Sequence, residues 1–175
     1  MNIQGNPWSF VPADVAIGTI TGATGLTLNA DGTVTITTTA GYNFGAQANS
    51  VPARWFTVIG AANAAYNGFY TLISGASGAA SFVMKPNFGI PAGTAQSGSG
   101  TIGQCLYPWQ VRVEDISWQS PTAAGQGLDL RDEDGNPVWQ ATSTGAGSQN
   151  RGKVFWIEGF TPFAIPSGII LMTIN

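Results

Sequence analysis

Between Leu128 and Ser143, two short runs of alternating side chains flank Asp132-Glu133-Asp134-Gly135-Asn136-Pro137. Asp and Asn tolerate left-handed backbone and bond their own main chain, and glycine takes positive φ without steric cost. The stretch therefore predicts a β-hairpin. Leu128 and Leu130 fall on one face and Asp129 and Arg131 on the other, the period of a half-buried strand. Nearly everything else in the chain repeats this pattern: short alternating runs separated by Gly, Asn, Asp, Ser or Pro. Such a sequence is confined to all-β folds.

Taken in order, residues 26–28 and 34–38 bracket Asn29-Ala30-Asp31-Gly32-Thr33, a second hairpin with Asp-Gly at its corner. Residues 54–59, 69–73 (after the turn at Asn67-Gly68) and 81–85 follow as strands, the last stopped by Pro86. The run 94–102 is rich in Gly and Ser and reads as a weak edge strand. Beyond a short seam near Gln104, residues 109–113, 116–118, 128–131, 138–142, 154–157 and 169–174 are strand candidates. The alanines of 46–53 and 61–65 are too few and too interrupted for a packed helix. Many short strands with turn chemistry between them mean sandwiches or barrels. The expected architecture is two small β-sandwich or jelly-roll-like modules, residues 15–104 and 105–175, behind an extended arm over residues 1–14.

That arm holds Pro7, Trp8, Phe10, Val11 and Pro12 without periodicity, and each proline biases its predecessor toward extended backbone. Its aromatics either fold back onto their own domain or dock on a neighbouring subunit. On the second reading Pro7, Trp8, Phe10 and Val11 form a partner-binding set, because aromatic anchors often dominate interface energy. Modules of this size are marginal as single cores, and no disulfide or metal staple is in view. The missing stability is expected from packing the halves together or from oligomerisation.

Charged residues make up only 9% of the chain, while hydrophobic residues make up 43%, with six Trp and nine Phe. The second pair of values argues for a folded chain despite 24 glycines, since disorder goes with low hydrophobicity and high net charge. No Lys/Arg cluster exists, so the electrostatic footprint of a nucleic-acid binder is lacking. The first residues hold no basic, apolar leader and no run is long enough to span a bilayer, so the expectation is a soluble, cytoplasmically made chain with no membrane partner. Low surface charge suits a protein that lives inside an assembly.

The chemistry of catalysis is thinly supplied. The chain has no His, which removes Ser-His-Asp and Cys-His arrangements and histidine-based metal sites. Cys105 is alone, so it forms no internal disulfide, and it reads as a small buried apolar residue. The turn Asp132-Glu133-Asp134-Gly135 partly matches the start of a calcium loop but lacks the third ligand position and the closing Glu, leaving Asp132 and Asp134 as a weak cation site or a solvated hairpin tip. Glu114, Asp115, Asp129 and Glu158 could supply a glycosidase-type carboxylate pair, yet nothing in their spacing requires one. Gly98-x-Gly100-x-x-Gly103 matches a dinucleotide fingerprint in letters only, without its strand-helix context. Trp118, Trp139 and Trp156 suit a core or an interface better than a sugar platform. No cofactor is expected.

Two stretches together carry a resemblance. Thr57-Val58-Ile59-Gly60-Ala61, Ala65-Tyr66-Asn67-Gly68-Phe69-Tyr70-Thr71 and Ser81-Phe82-Val83-Met84 resemble small β-sandwich modules of tailed-phage virion proteins. Gly127-Leu128-Asp129-Leu130-Arg131-Asp132, Gly135-Asn136-Pro137-Val138-Trp139 and Pro166-Ser167-Gly168-Ile169-Ile170-Leu171-Met172 are similar to short β-sandwich proteins of phage heads. The resemblance spans about residues 15–175. It implies a non-enzymatic capsid decoration (cement) protein on the virion surface, a homotrimer bound to the major capsid protein. It also leaves room for a minor tail or head-fibre role, and a carbohydrate-binding receptor-recognition module is the competing reading.

Overall fold

The computed structural model describes residues 6–10, 17–42, 55–76, 78–105, 110–119, 121–152, 155–157, 161–164, 167 and 169–174, with residues 6–10, 111, 150–151, 155–157, 162, 164, 169 and 174 described by their backbone. The strands of the first half are β1 (Asn6–Phe10), β2 (Ile17–Thr19), β3 (Leu26–Leu28), β4 (Val34–Thr37), β5 (Trp55–Ile59), β6 (Gly68–Ser74), β7 (Ser81–Pro86) and β8 (Thr101–Gln104). Seven of them form one antiparallel sheet in the order β2-β8-β5-β6-β7-β4-β3. The sheet curls until its ends meet. Beyond β2, Thr21 N donates to Thr37 O (2.9 Å) and Thr39 N to Thr19 O (2.9 Å), while Leu26 and Ser97 exchange hydrogen bonds at 2.8 and 2.9 Å. Closure of this kind leaves few open strand edges. The two layers expected of the first module are thus opposite walls of a single curled sheet.

Alternation turns one side chain in two toward the enclosed space. Leu26, Val34, Ile36, Phe56, Val58, Tyr66, Tyr70, Met84 and Ile102 are fully buried there, and Tyr42 sits edge-on to Phe56 at 6.0 Å. A one-turn 3-10 segment, Ala64–Tyr66, is capped by the Asn63 side chain and seats Tyr66 in the core. Burial raises the phenol pKa values of Tyr42 and Tyr70, and the Tyr70 hydroxyl donates to the Tyr66 carbonyl at 2.6 Å.

β8 is a correction to the sequence reading. It is no edge strand: β2 flanks it on one side and β5 on the other, with Ile102, Gly103 and Gln104 buried. The glycines of this strand and of the run leading into it answer to crowding. A Cβ on Gly98 would strike the Gly22 carbonyl, and one on Gly103 would come within 2.7 Å of Thr161 Cγ2. The spacing that mimics a dinucleotide fingerprint is a record of close approaches.

The second half contributes β9 (Val111–Gln119), β10 (Gly127–Arg131), β11 (Pro137–Thr142), β12 (Gln149–Gly152), β13 (Phe155–Ile157), β14 (Thr161–Ala164) and β15 (Ile169–Ile174). One sheet runs β1-β15-β9-β12, with β13 sharing the β12 side of β9, and a smaller one runs β11-β10-β14. The runs 109–113 and 116–118 are a single strand. Their apolar phases disagree by one residue because β9 carries an extra residue where Asp115 and Val113 face consecutive residues of β15, Thr173 and Ile174. This is a β-bulge, and it lets Val113, Ile116 and Trp118 all be buried. The Trp118 indole donates to Ser167 O at 2.8 Å, and Leu128, Leu130, Ile170 and Met172 complete the buried set. The all-β class expected from the alternating runs is the class the chain adopts.

Candidate functional site

Apart from β1, no described strand pairs across Gln104, so the two halves meet through side chains and turns. The meeting is built on β10 and its neighbours. Arg131 lies opposite Thr161 in the β10–β14 pairing, and Thr161 Oγ1 lies 2.9 Å from Thr57 Oγ1 of β5, both residues fully buried. Gly103 of β8 leaves room for Thr161 Cγ2 and for the Phe163 ring. The Arg131 guanidinium lies 5.8 Å from the centroid of that ring, a cation–π contact. Its Nε and Nη2 both approach Asp129 Oδ2 at 2.8 Å, and Nη1 donates to Gly135 O at 2.8 Å.

The hairpin tip completes the seam. Gly135 has φ +83° and is buried; a Cβ there would come within 2.5 Å of Ile59 Cγ2 at the end of β5. The turn is tied by Gly135 N to Asp132 O (3.1 Å) and by the Asp132 carboxylate, which accepts from Asn136 N (2.7 Å) and Nδ2 (3.2 Å). Asp132 thus serves the turn itself, while Asp134 is exposed. Among the described residues no group of three or more His, Cys, Asp or Glu is placed to hold a metal ion. What the seam does chemically is hold: hydroxyl against hydroxyl, and guanidinium against carboxylate, carbonyl and ring.

Beside the seam lies an open depression of about 440 Å³ lined by Gly127, Leu128, Asp129, Gln140, Ala141 and Thr142. Gln140 Nε2 donates to Asp129 Oδ1 at 3.2 Å, so the carboxylate is fixed from both sides. Its wall mixes amide, hydroxyl and carboxylate with small residues.

The other residues singled out by sequence fall as follows. Pro7, Trp8 and Phe10 belong to β1, paired antiparallel with β15 so that Trp8 faces Met172 and Phe10 faces Ile170 in register; Val11 lies outside the described residues. The arm's backbone is therefore laid along a strand of its own chain. Glu114 lies 3.6 Å from Arg112 on β9 and Asp129 is engaged on β10, in different sheets, while Glu158 lies outside the described residues. Trp118 is core, Trp139 is half-buried against Gly152, and Cys105 is buried. Sequence reasoning missed Thr57, Gly103, Thr161 and Phe163, because no local pattern announces a contact made across more than fifty residues. No protein-family model, curated protein or solved structure matches this chain.

Proposed function

We propose that this chain is a non-enzymatic virion structural protein of the capsid decoration (cement) type, a homotrimer seated on the outer surface of the major capsid protein. The observation that carries the reading is the seam. Its polar groups face one another and bind two β-units into one body, and its glycines admit contacts that no side chain could share. Stiffness is what a clamp on a shell requires. The low charge and the turn-and-strand resemblance to phage-head proteins add to it. The test is cosedimentation of the full chain with empty heads. Saturable binding with a fixed number of copies per capsomer is expected, and a chain that stays in the supernatant overturns the proposal.

One observation favours a second reading, a receptor-recognition module for glycans: the depression around Asp129, Gln140 and Thr142. Titration with simple hexoses followed by amide NMR decides it. Shifts confined to residues 127–129 and 140–142 would support it.

A further inference from the structure

β15 reads Ile169-Ile170-Leu171-Met172-Thr173-Ile174, five apolar residues in six with no charge. One of its edges is taken by β9 and the other by β1. Left bare, an edge of this composition is a template for aggregation, so it has to be covered. Its cover is the five-residue strand that precedes the barrel in sequence and that, among the described residues, pairs with β15 alone. We propose that in the assembled protein β1 of one copy occupies the β15 edge of a neighbouring copy.

Exchange of an identical strand costs no pairing, because the seat that Asn6–Phe10 fills in its own chain exists on every other copy. Among the described residues, two of the three exposed large apolar side chains belong to the elements involved. Ile17 is the first residue of β2, directly after the connector, and Leu171 faces Ser9 within the seat. The connector from Phe10 to Ile17 spans at most about 25 Å. Donor and acceptor bodies must therefore lie close together. The partner is thus a second copy of this chain, and the inference rests on the reading of the protein as an assembly component.

The register supplies the test. Ser9 and Leu171 are Cα partners, and directly opposed residues of antiparallel strands lie within disulfide reach. Chains carrying Ser9→Cys alone are refolded together with chains carrying Leu171→Cys alone, then oxidised and run on a non-reducing gel. A covalent pair of doubled mass is expected. The double variant S9C/L171C closing only within single chains, with no pair in the mixture, overturns the proposal. So does failure of either pair to close, because the seat itself would be wanting. A synthetic peptide of residues 2–12 should dissociate the oligomer to monomers, and an oligomer indifferent to excess peptide counts against exchange. Chains that bind heads yet cross-link only internally would sink exchange and spare the decoration reading. Chains that exchange strands and ignore heads would do the reverse.

Discussion

The two halves solve the same problem in opposite ways. The first curls one sheet until its ends bond to each other, enclosing a continuous core from Ile20 to Ile102. The second keeps two open sheets, shares a smaller buried set between them, and borrows its last strand from the far end of the chain. Closure removes edges at the cost of tight backbone approaches, which only glycine permits. In the open half the crowded glycines among the described residues, Gly135 and Gly152, make room for side chains instead of backbone, and edges are left to be covered. Where the barrel demands small residues, the open half demands partners.

The sharpest way to break this contrast is to forbid closure. Gly98→Val places a side chain on the Gly22 carbonyl, backbone against backbone, where nothing yields cheaply. We expect a loss of more than about 4 kcal/mol in urea unfolding, enough to abolish folding of the first half. A variant with the wild-type midpoint would show that the meeting of the sheet's ends is incidental.

A smaller effect tests whether the halves are one body. Thr57→Val removes the hydroxyl that Thr161 faces at 2.9 Å in a fully buried setting, and should cost about 1–3 kcal/mol. Replacing both threonines by valine should cost clearly less than the sum of the single changes, since the contact between the two hydroxyls is then lost only once. Strict additivity would mean the contact does not couple the units. Thermal unfolding of the four proteins, read through tryptophan fluorescence, supplies the cycle.

The same contrast explains what was legible in the sequence. The Asn29–Thr33 corner and the Asp132–Pro137 corner carry their own chemistry, so both hairpins could be read from a few letters. β8 could not, because its glycines look like weakness and only the fold reveals what crowds them. β1 could not, because Pro7 and the missing alternation hide a strand whose partner lies about 160 residues on. The sequence splits β9 into 109–113 and 116–118 because a bulge within β9 shifts its apolar phase by one residue, and the two runs are one strand. The seam was invisible for the same reason as β1: its contacts are long-range, and threonine and glycine announce nothing alone.

The two hairpin tips sharpen the comparison at its finest grain. The tip of the open half is anchored, with Gly135 against Ile59, whereas the barrel's own tip at Asp31 stands in solvent. There the Asp31 carboxylate accepts from the Thr33 hydroxyl at 2.6 Å and from Thr33 N at 3.0 Å, and these bonds hold its pKa below the ordinary 3.8. A carboxyl whose folded pKa is depressed contributes stability above its unfolded value and loses that contribution as pH falls through the folded one. The loss belongs to the acid limb below 3.8, and full exposure keeps it small. Thr33→Val removes the hydroxyl donor and should return the Asp31 titration, followed by carboxyl-carbon NMR, toward 3.8, while barrel amides keep their protection. If Asp31 in the unmodified protein already titrates at its ordinary value, the free tip is not held by its own side chains. Only the docked tip would then be ordered by its surroundings, and the contrast between the halves would extend to their turns.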